Sequence, residues 1–199
     1  MANRNSAGFG LRPAGTLGNT PATHGLSQYW IDAGATVDLF HGMAMKSSGG
    51  YMITGESATT VTTIGVLQGI FYNAATTLKP TWASWYDATI TPANSEDTQA
   101  FVNDYPFQKY TIAADALVAS SVPAAHVLFM ETYSVYANTG GNTTTGNSTT
   151  TLDIGATHAT THSWRLLRSA EDPENHDLTA AFCTLEVVQN LSEFVGTGT

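Results

Sequence analysis

The sequence contains little cysteine and little charge. Its 199 residues include one cysteine, Cys183, which excludes an internal disulfide framework and a zinc site built from several cysteines. Only 12% of the residues are charged, with seven Lys and Arg against sixteen Asp and Glu. A chain with a formal charge of −9 and no basic cluster binds a phosphate backbone poorly. We therefore expect neither nucleic acid nor an anionic membrane as a partner.

Long apolar segments are also missing. The longest apolar stretches, such as residues 124–129, are far shorter than the roughly 20 residues that cross a bilayer. Residues 1–6 are followed by no apolar stretch of the kind found in signal peptides. We expect a soluble chain, made in the cytoplasm, whose length suits one domain with a sizeable core.

Short runs of β-branched and aromatic residues, separated by Gly and Ser, fill most of the chain after residue 28. This pattern is typical of an antiparallel β domain. Gly65 and Gly69 inside one run predict a bulge or a close backbone approach. Asn94 or Ser95, followed by acidic residues, predicts the cap of a short helix. The clearest runs are residues 29–31, 37–40, 42–46, 51–54, 64–72, 107–112, 127–136, 163–169 and 182–190.

The first 28 residues differ in charge from the rest. They contain Arg4 and Arg12 and no acidic residue, whereas residues 29–199 contain five basic and sixteen acidic residues. Residues 3–15 are rich in Gly, Asn and Pro and have neither a helical nor a strand period. We interpret residues 1–28 as an extended arm that orders on a partner, and residues 29–199 as a single β domain. The alternative is a terminus that lies against its own domain.

Residues 138–151 form a second compositional anomaly. They consist of Thr, Asn, Gly, Ser and no apolar residue. Such a low-complexity segment predicts an exposed loop.

Catalytic motifs are scarce. His158 and His162 have the spacing of two zinc ligands on one helical face, with Asp153 nearby, but the Thr-rich surroundings disfavour a helix. The carboxylates of residues 171–177 flank a proline and have the composition of an exposed turn. Cys183 lies within an apolar run and is no evident nucleophile. We therefore expect no catalytic residues, no metal and no cofactor, with a hydrolase that uses the two histidines as the weakest alternative.

Aromatic residues offer another possibility. Trp82 and Trp85, together with the Thr-rich loop, could form the face of a carbohydrate- or receptor-binding module. In a small β protein, however, such aromatic residues more often belong to the core or to a subunit interface.

The N-terminal string resembles a known family. Residues 1–13 read Met-Ala-Asn-Arg-Asn-Ser-Ala-Gly-Phe-Gly-Leu-Arg-Pro, which is similar to the start of the head-decoration, or capsid cement, proteins of tailed bacteriophages. The resemblance finds no counterpart for residues 73–125. Similar later features are a hydrophobic strand near Tyr29, Gly-Met-Ala-Met at 42–45, Ile-Gly-Val-Leu at 64–67, Trp-Arg-Leu-Leu-Arg at 164–168, Asp-Pro-Glu-Asn at 172–175 and a terminal strand at 182–190.

This resemblance implies a structural, non-enzymatic virion protein with an antiparallel β-barrel or tulip-like domain. Such a protein is made in the host cytoplasm and adds to the outer capsid surface after the shell expands. The implied partners are the major capsid protein and further copies of the chain, usually in a homotrimer. On this hypothesis Phe9, Leu11, Arg12 and Arg4 are the residues of the arm that bind the shell.

Overall fold

The fold is mainly β. The computed structural model describes residues 2–18, 25–55, 61–155 and 161–195. Within these residues the secondary structure comprises β1 Arg12–Thr16, β2 Ser27–Ile31, β3 Ala44–Ser48, β4 Tyr51–Thr54, β5 Gly65–Asn73, β6 Pro80–Ala83, β7 Thr98–Asn103, β8 Gln108–Ala113, α1 Val122–Val127, β9 Thr132–Tyr133, β10 Val135–Tyr136, β11 Thr151–Leu152, β12 Trp164–Ser169 and β13 Thr184–Gln189.

The strands pair antiparallel in three sheets, which confirms the predicted fold class. One sheet has the order β1-β8-β13-β12-β9. A larger sheet has the order β2-β7-β5-β3-β4, with β6 also paired to β5, and β10 pairs with β11. The edge strands β2 and β4 of the larger sheet contact each other, but the described strands do not close into the predicted barrel.

Two apolar clusters form the core. One contains Leu11 and Trp164 and lies against the five-stranded sheet, and the other contains Ile31 and Met45 and lies against the larger sheet. In β5, Val66 joins the first cluster and the next residue joins the second. Because successive side chains of a strand point to opposite faces, β5 is covered on both faces at this point.

Both glycine predictions for β5 are confirmed. A Cβ on Gly65 would lie about 2.1 Å from the carbonyl oxygen of Asn103, so only glycine fits at this close approach. The register between β5 and β7 shifts between Leu67 and Gly69, which is the bulge.

The helix prediction was wrong in its position. Residues 93–95 form only a 3₁₀ turn, in which Asn94 has a φ of 57°, and β7 follows, with alternating burial. The helix is α1, which occupies residues 122–127 and is capped by the Ser121 hydroxyl. The sequence predicted a strand at residues 127–136. Residue 127 belongs to α1 instead, and within the predicted range only β9 and β10 are strands.

The prediction that residues 138–151 form an exposed loop holds only for the tip. Residues 142–145 are exposed, but Asn138, Ser148 and Thr150 are almost completely buried. The Asn138 amide donates to the carbonyl oxygen of Ala44 at 2.9 Å and to that of Gly55, and its oxygen accepts from the Ala44 N–H at 3.1 Å. The buried residues of the segment supply hydrogen bonds to backbone groups, whereas residues 142–145 are polar and solvated.

The N-terminal residues are likewise part of the domain. The sequence led us to expect an arm with no fold of its own at residues 1–28, but β1 is an edge strand of the five-stranded sheet. The proposed boundary at residue 28 falls inside β2, which pairs with β7. The described part of the N-terminus therefore lies against its own domain, which is the alternative left open above.

Candidate functional site

Side-chain amides attach the first residues of the chain to the loop at 172–183. The Asn3 amide donates to the carbonyl oxygens of Asp177, Ala180 and Ala181 at 2.9–3.2 Å, and its oxygen accepts from the Asp177 N–H. The Asn5 N–H donates to the Asn175 side-chain oxygen at 2.7 Å. These bonds link residues about 170 positions apart and hold the N-terminus on the body.

Within the string Phe9-Gly10-Leu11-Arg12-Pro13, Gly10 and Leu11 have structural roles. Gly10 has a φ of +76°, and a Cβ there would lie 2.9 Å from the Gly42 carbonyl oxygen. The Leu11 N–H donates to that same oxygen at 2.8 Å. Leu11 has no exposed surface and belongs to the first core cluster, so the prediction that it contacts a shell is wrong for this conformation.

The other three predicted shell-binding residues remain on the surface and line one groove of about 590 Å³. Arg12 places its guanidinium 4.7 Å from the centre of the Phe9 ring, a cation–π contact. One guanidinium nitrogen of Arg4, Nη1, donates to both carboxylate oxygens of Glu174 at 2.6 and 2.7 Å, and both side chains are more than half exposed. We call Arg4, Phe9 and Arg12 the N-terminal surface.

The loop beneath the N-terminal surface contains two strongly hydrogen-bonded carboxylates. The hydroxyl and N–H of Thr179 lower the pKa of Asp177 to about 2. The Asn175 side chain and the Glu174 N–H lower the pKa of Asp172. Ionised carboxylates therefore help to shape the loop that holds Asn3 and Asn5.

Acid should weaken this loop. The ordinary pKa of an aspartate carboxyl group is near 4. A carboxyl group whose pKa is lower than this in the folded state stabilises the fold at pH values above 4, and the stabilisation is lost as the pH falls through the folded-state pKa. Asp177→Asn should therefore lower the free energy of urea unfolding at about pH 7 and make little difference near pH 2. Parallel pH profiles for the wild type and the variant would contradict this assignment.

A second surface feature is a set of aromatic rings on the larger sheet. Trp82 is 67% exposed, and its ring centre lies 5.0 Å from that of Phe71 and 4.8 Å from that of Phe101. Trp82 pairs with Phe71, Phe71 with Gln99, and Gln99 with Trp30, so these four side chains share one face of the sheet. We call Trp30, Phe71, Trp82 and Phe101 the aromatic face.

The structure separates Trp85 from the aromatic face. The Trp85 ring stacks on Phe40 at 5.0 Å and packs against the second core cluster, next to Gly146. Trp82 and Trp85 therefore do not form one platform. The partners of Trp82 come from neighbouring strands and could have been found from the sequence only by knowing the strand register.

The structure describes some of the residues that were considered for catalysis. Burial raises the pKa of the Cys183 thiol to about 12, so it is a poor nucleophile. His162 is buried, and His158 lies outside the described residues. No group of three or more possible metal ligands occurs among the residues that the structure describes.

Comparisons with protein-family models, with curated proteins and with solved structures found no significant match. In the described parts of the chain, no helix is both long and apolar enough to span a bilayer.

Proposed function

We propose that this chain is a structural, non-enzymatic protein that decorates the outside of a bacteriophage capsid. It binds the major capsid protein through the N-terminal surface and spans neighbouring shell subunits, in the homotrimeric form implied by the resemblance. The observation that carries the proposal is that Arg4 and Arg12, which are exposed, and Phe9, which is partly buried, line one groove. These residues belong to the string on which the resemblance rests.

The rigidity of the N-terminal surface supports binding. A disordered arm would lose about 1–2 kcal/mol of backbone entropy per residue on ordering. Residues 3–16 are already held by hydrogen bonds to the body and by β1, so a partner would not meet this penalty. Repetition over a symmetric shell then strengthens modest contacts through effective concentration.

The charge distribution suits the same role. Arg4 is paired with Glu174, so Arg12 is the arginine of the N-terminal surface that can offer its charge to an acidic partner surface. Arginine and aromatic residues are also enriched at protein interfaces.

Co-sedimentation with purified capsids tests the proposal. The protein should bind expanded shells of the parent phage in a saturable manner, with a fixed number of copies per shell, and should not bind unexpanded shells. Failure to bind expanded shells at micromolar concentration would contradict the proposal. Native mass measurement of the free and the bound protein tests the predicted trimer.

A further inference from the structure

A groove of about 540 Å³ lies at one end of the aromatic face and shares no lining residue with the groove of the N-terminal surface. It occurs where β5 ends, β7 begins and the turn between β3 and β4 lies. Trp30 and Phe71 contribute ring surface, and Gln99 lies between them in the cross-strand row. The groove thus continues the aromatic face with a side chain that can both donate and accept hydrogen bonds.

Acidic residues also line the groove. The described residues that line the groove include Glu96 and Asp97 and no lysine or arginine. Asp97 accepts from the Tyr51 hydroxyl at 3.1 Å and from the Ala33 N–H at 3.0 Å, so its orientation is fixed. Such a lining repels phosphates and other anions and presents acceptors to hydroxyl groups.

The length of the aromatic face indicates the size of the neutral ligand that would fit it. Trp82 and Trp30 lie on strands separated by two others, β5 and β7, so three strand spacings give a span of roughly 14 Å. This is the length of a short oligosaccharide. A pyranose ring offers an apolar C–H face to an aromatic ring and hydroxyl groups at its edge, which matches aromatic rings flanked by amide and carboxylate groups.

We propose that the aromatic face and its groove bind a neutral oligosaccharide. Trp30 and Phe71 would stack against sugar rings, Gln99 and Glu96 would bind hydroxyl groups, and Trp82 would extend the platform. Asp97 would act as a positioning residue that fixes Tyr51 at the rim. The chain could then bind glycans from a surface separate from the one proposed to attach it to a shell.

Saturation-transfer NMR on the full chain tests this proposal. The probes are neutral trisaccharides of glucose, galactose and N-acetylglucosamine, with glucose 6-phosphate as the anionic comparison. We expect transfer to the ring C–H protons of at least one neutral trisaccharide, and weak or no transfer to the phosphate. Trp30→Ala and Gln99→Ala should each reduce affinity about tenfold or more, with unchanged thermal unfolding.

Two control variants distinguish saccharide binding at the aromatic face from nonspecific effects and from the proposed shell attachment. Tyr136→Ala removes an aromatic side chain that is 55% exposed on β10, and it should leave saccharide binding unchanged. Arg12→Glu should also leave it unchanged, so this proposal and the proposed shell attachment fail independently. The proposal is overturned if no neutral trisaccharide shows transfer, or if Trp82→Ala instead dissociates an oligomer, which would make the face an interface between copies.

Discussion

Asn138→Ala should destabilise the protein by about 4 kcal/mol, because the side-chain amide is the centre of a buried polar cluster. Asn138 is 1% exposed. Its oxygen accepts from the Ala44 N–H and from the Thr150 hydroxyl, and its nitrogen donates to two carbonyl oxygens and to the Thr54 hydroxyl. Alanine would leave several of these groups buried without partners, and each orphaned group costs about 1–3 kcal/mol.

Urea unfolding of purified Asn138→Ala measures this effect. Thr143→Ala is the matched control, since it changes another polar residue of the same segment at its exposed tip and should alter stability by less than about 0.5 kcal/mol. A loss of under 1 kcal/mol for Asn138→Ala would show that the cluster is not the anchor of residues 138–151.

Leu11→Ala should cost about 3 kcal/mol, within the range for a fully buried leucine. Leu11 has no exposed surface and contributes to the cluster around Trp164. The same argument applies to a deletion of the N-terminal residues. Removing residues 2–13 would take away Leu11, the start of β1 and the amide bonds of Asn3, so we expect an unstable protein rather than a folded one that cannot bind.

Leu17→Ala provides the comparison for Leu11→Ala. Leu17 also lies in the N-terminal segment but is 37% exposed, so its loss should cost well under 1 kcal/mol. Both values come from thermal or urea unfolding of the purified variants. Equal and small losses of stability in the two variants would contradict the packing of Leu11 in the core and would favour an N-terminal arm that does not pack on its own domain.

Local sequence patterns predicted much of the β structure. β5 is a nine-residue, mostly apolar strand and β13 contains Leu185, Val187 and Val188, and both occur where the sequence places strands. The roles of the two glycines of β5 could be predicted because a glycine inside an apolar strand usually marks a bulge or a close approach of another backbone. The pattern of alternating residues that predicted a strand from residue 127 was misleading at its start, because Ser121 and Pro123 begin a helix that extends into this apolar stretch.

Long-range hydrogen bonds explain what the sequence could not predict. Asn3 and Asn5 look like linker residues, yet their partners lie about 170 positions away. Asn138 looks like part of a solvated loop, yet it satisfies backbone groups at residues 44 and 55. No local window contains such pairs, and polar composition alone does not distinguish a solvated segment from one that supplies buried hydrogen bonds.

The string that carries the family resemblance also needs a revised interpretation. Gly10 and Leu11 serve packing inside the domain, whereas Phe9 and Arg12 stack on its surface. Part of the resemblance therefore concerns how the N-terminus joins the fold. Only residues with accessible surface can contact a partner, and this narrows the proposed shell-binding set to Arg4, Arg12 and the partly buried Phe9.

The most direct test of the proposed attachment is co-sedimentation of Arg12→Glu with expanded capsids of the parent phage. Arg12 is exposed and its guanidinium lies over Phe9, so charge reversal should preserve the fold while changing the N-terminal surface. Lys79→Glu, an exposed charge reversal beside β6, is the matched control. We predict at least a tenfold loss of affinity for Arg12→Glu and none for Lys79→Glu. Equal binding by both variants and the wild type would contradict attachment through the N-terminal surface.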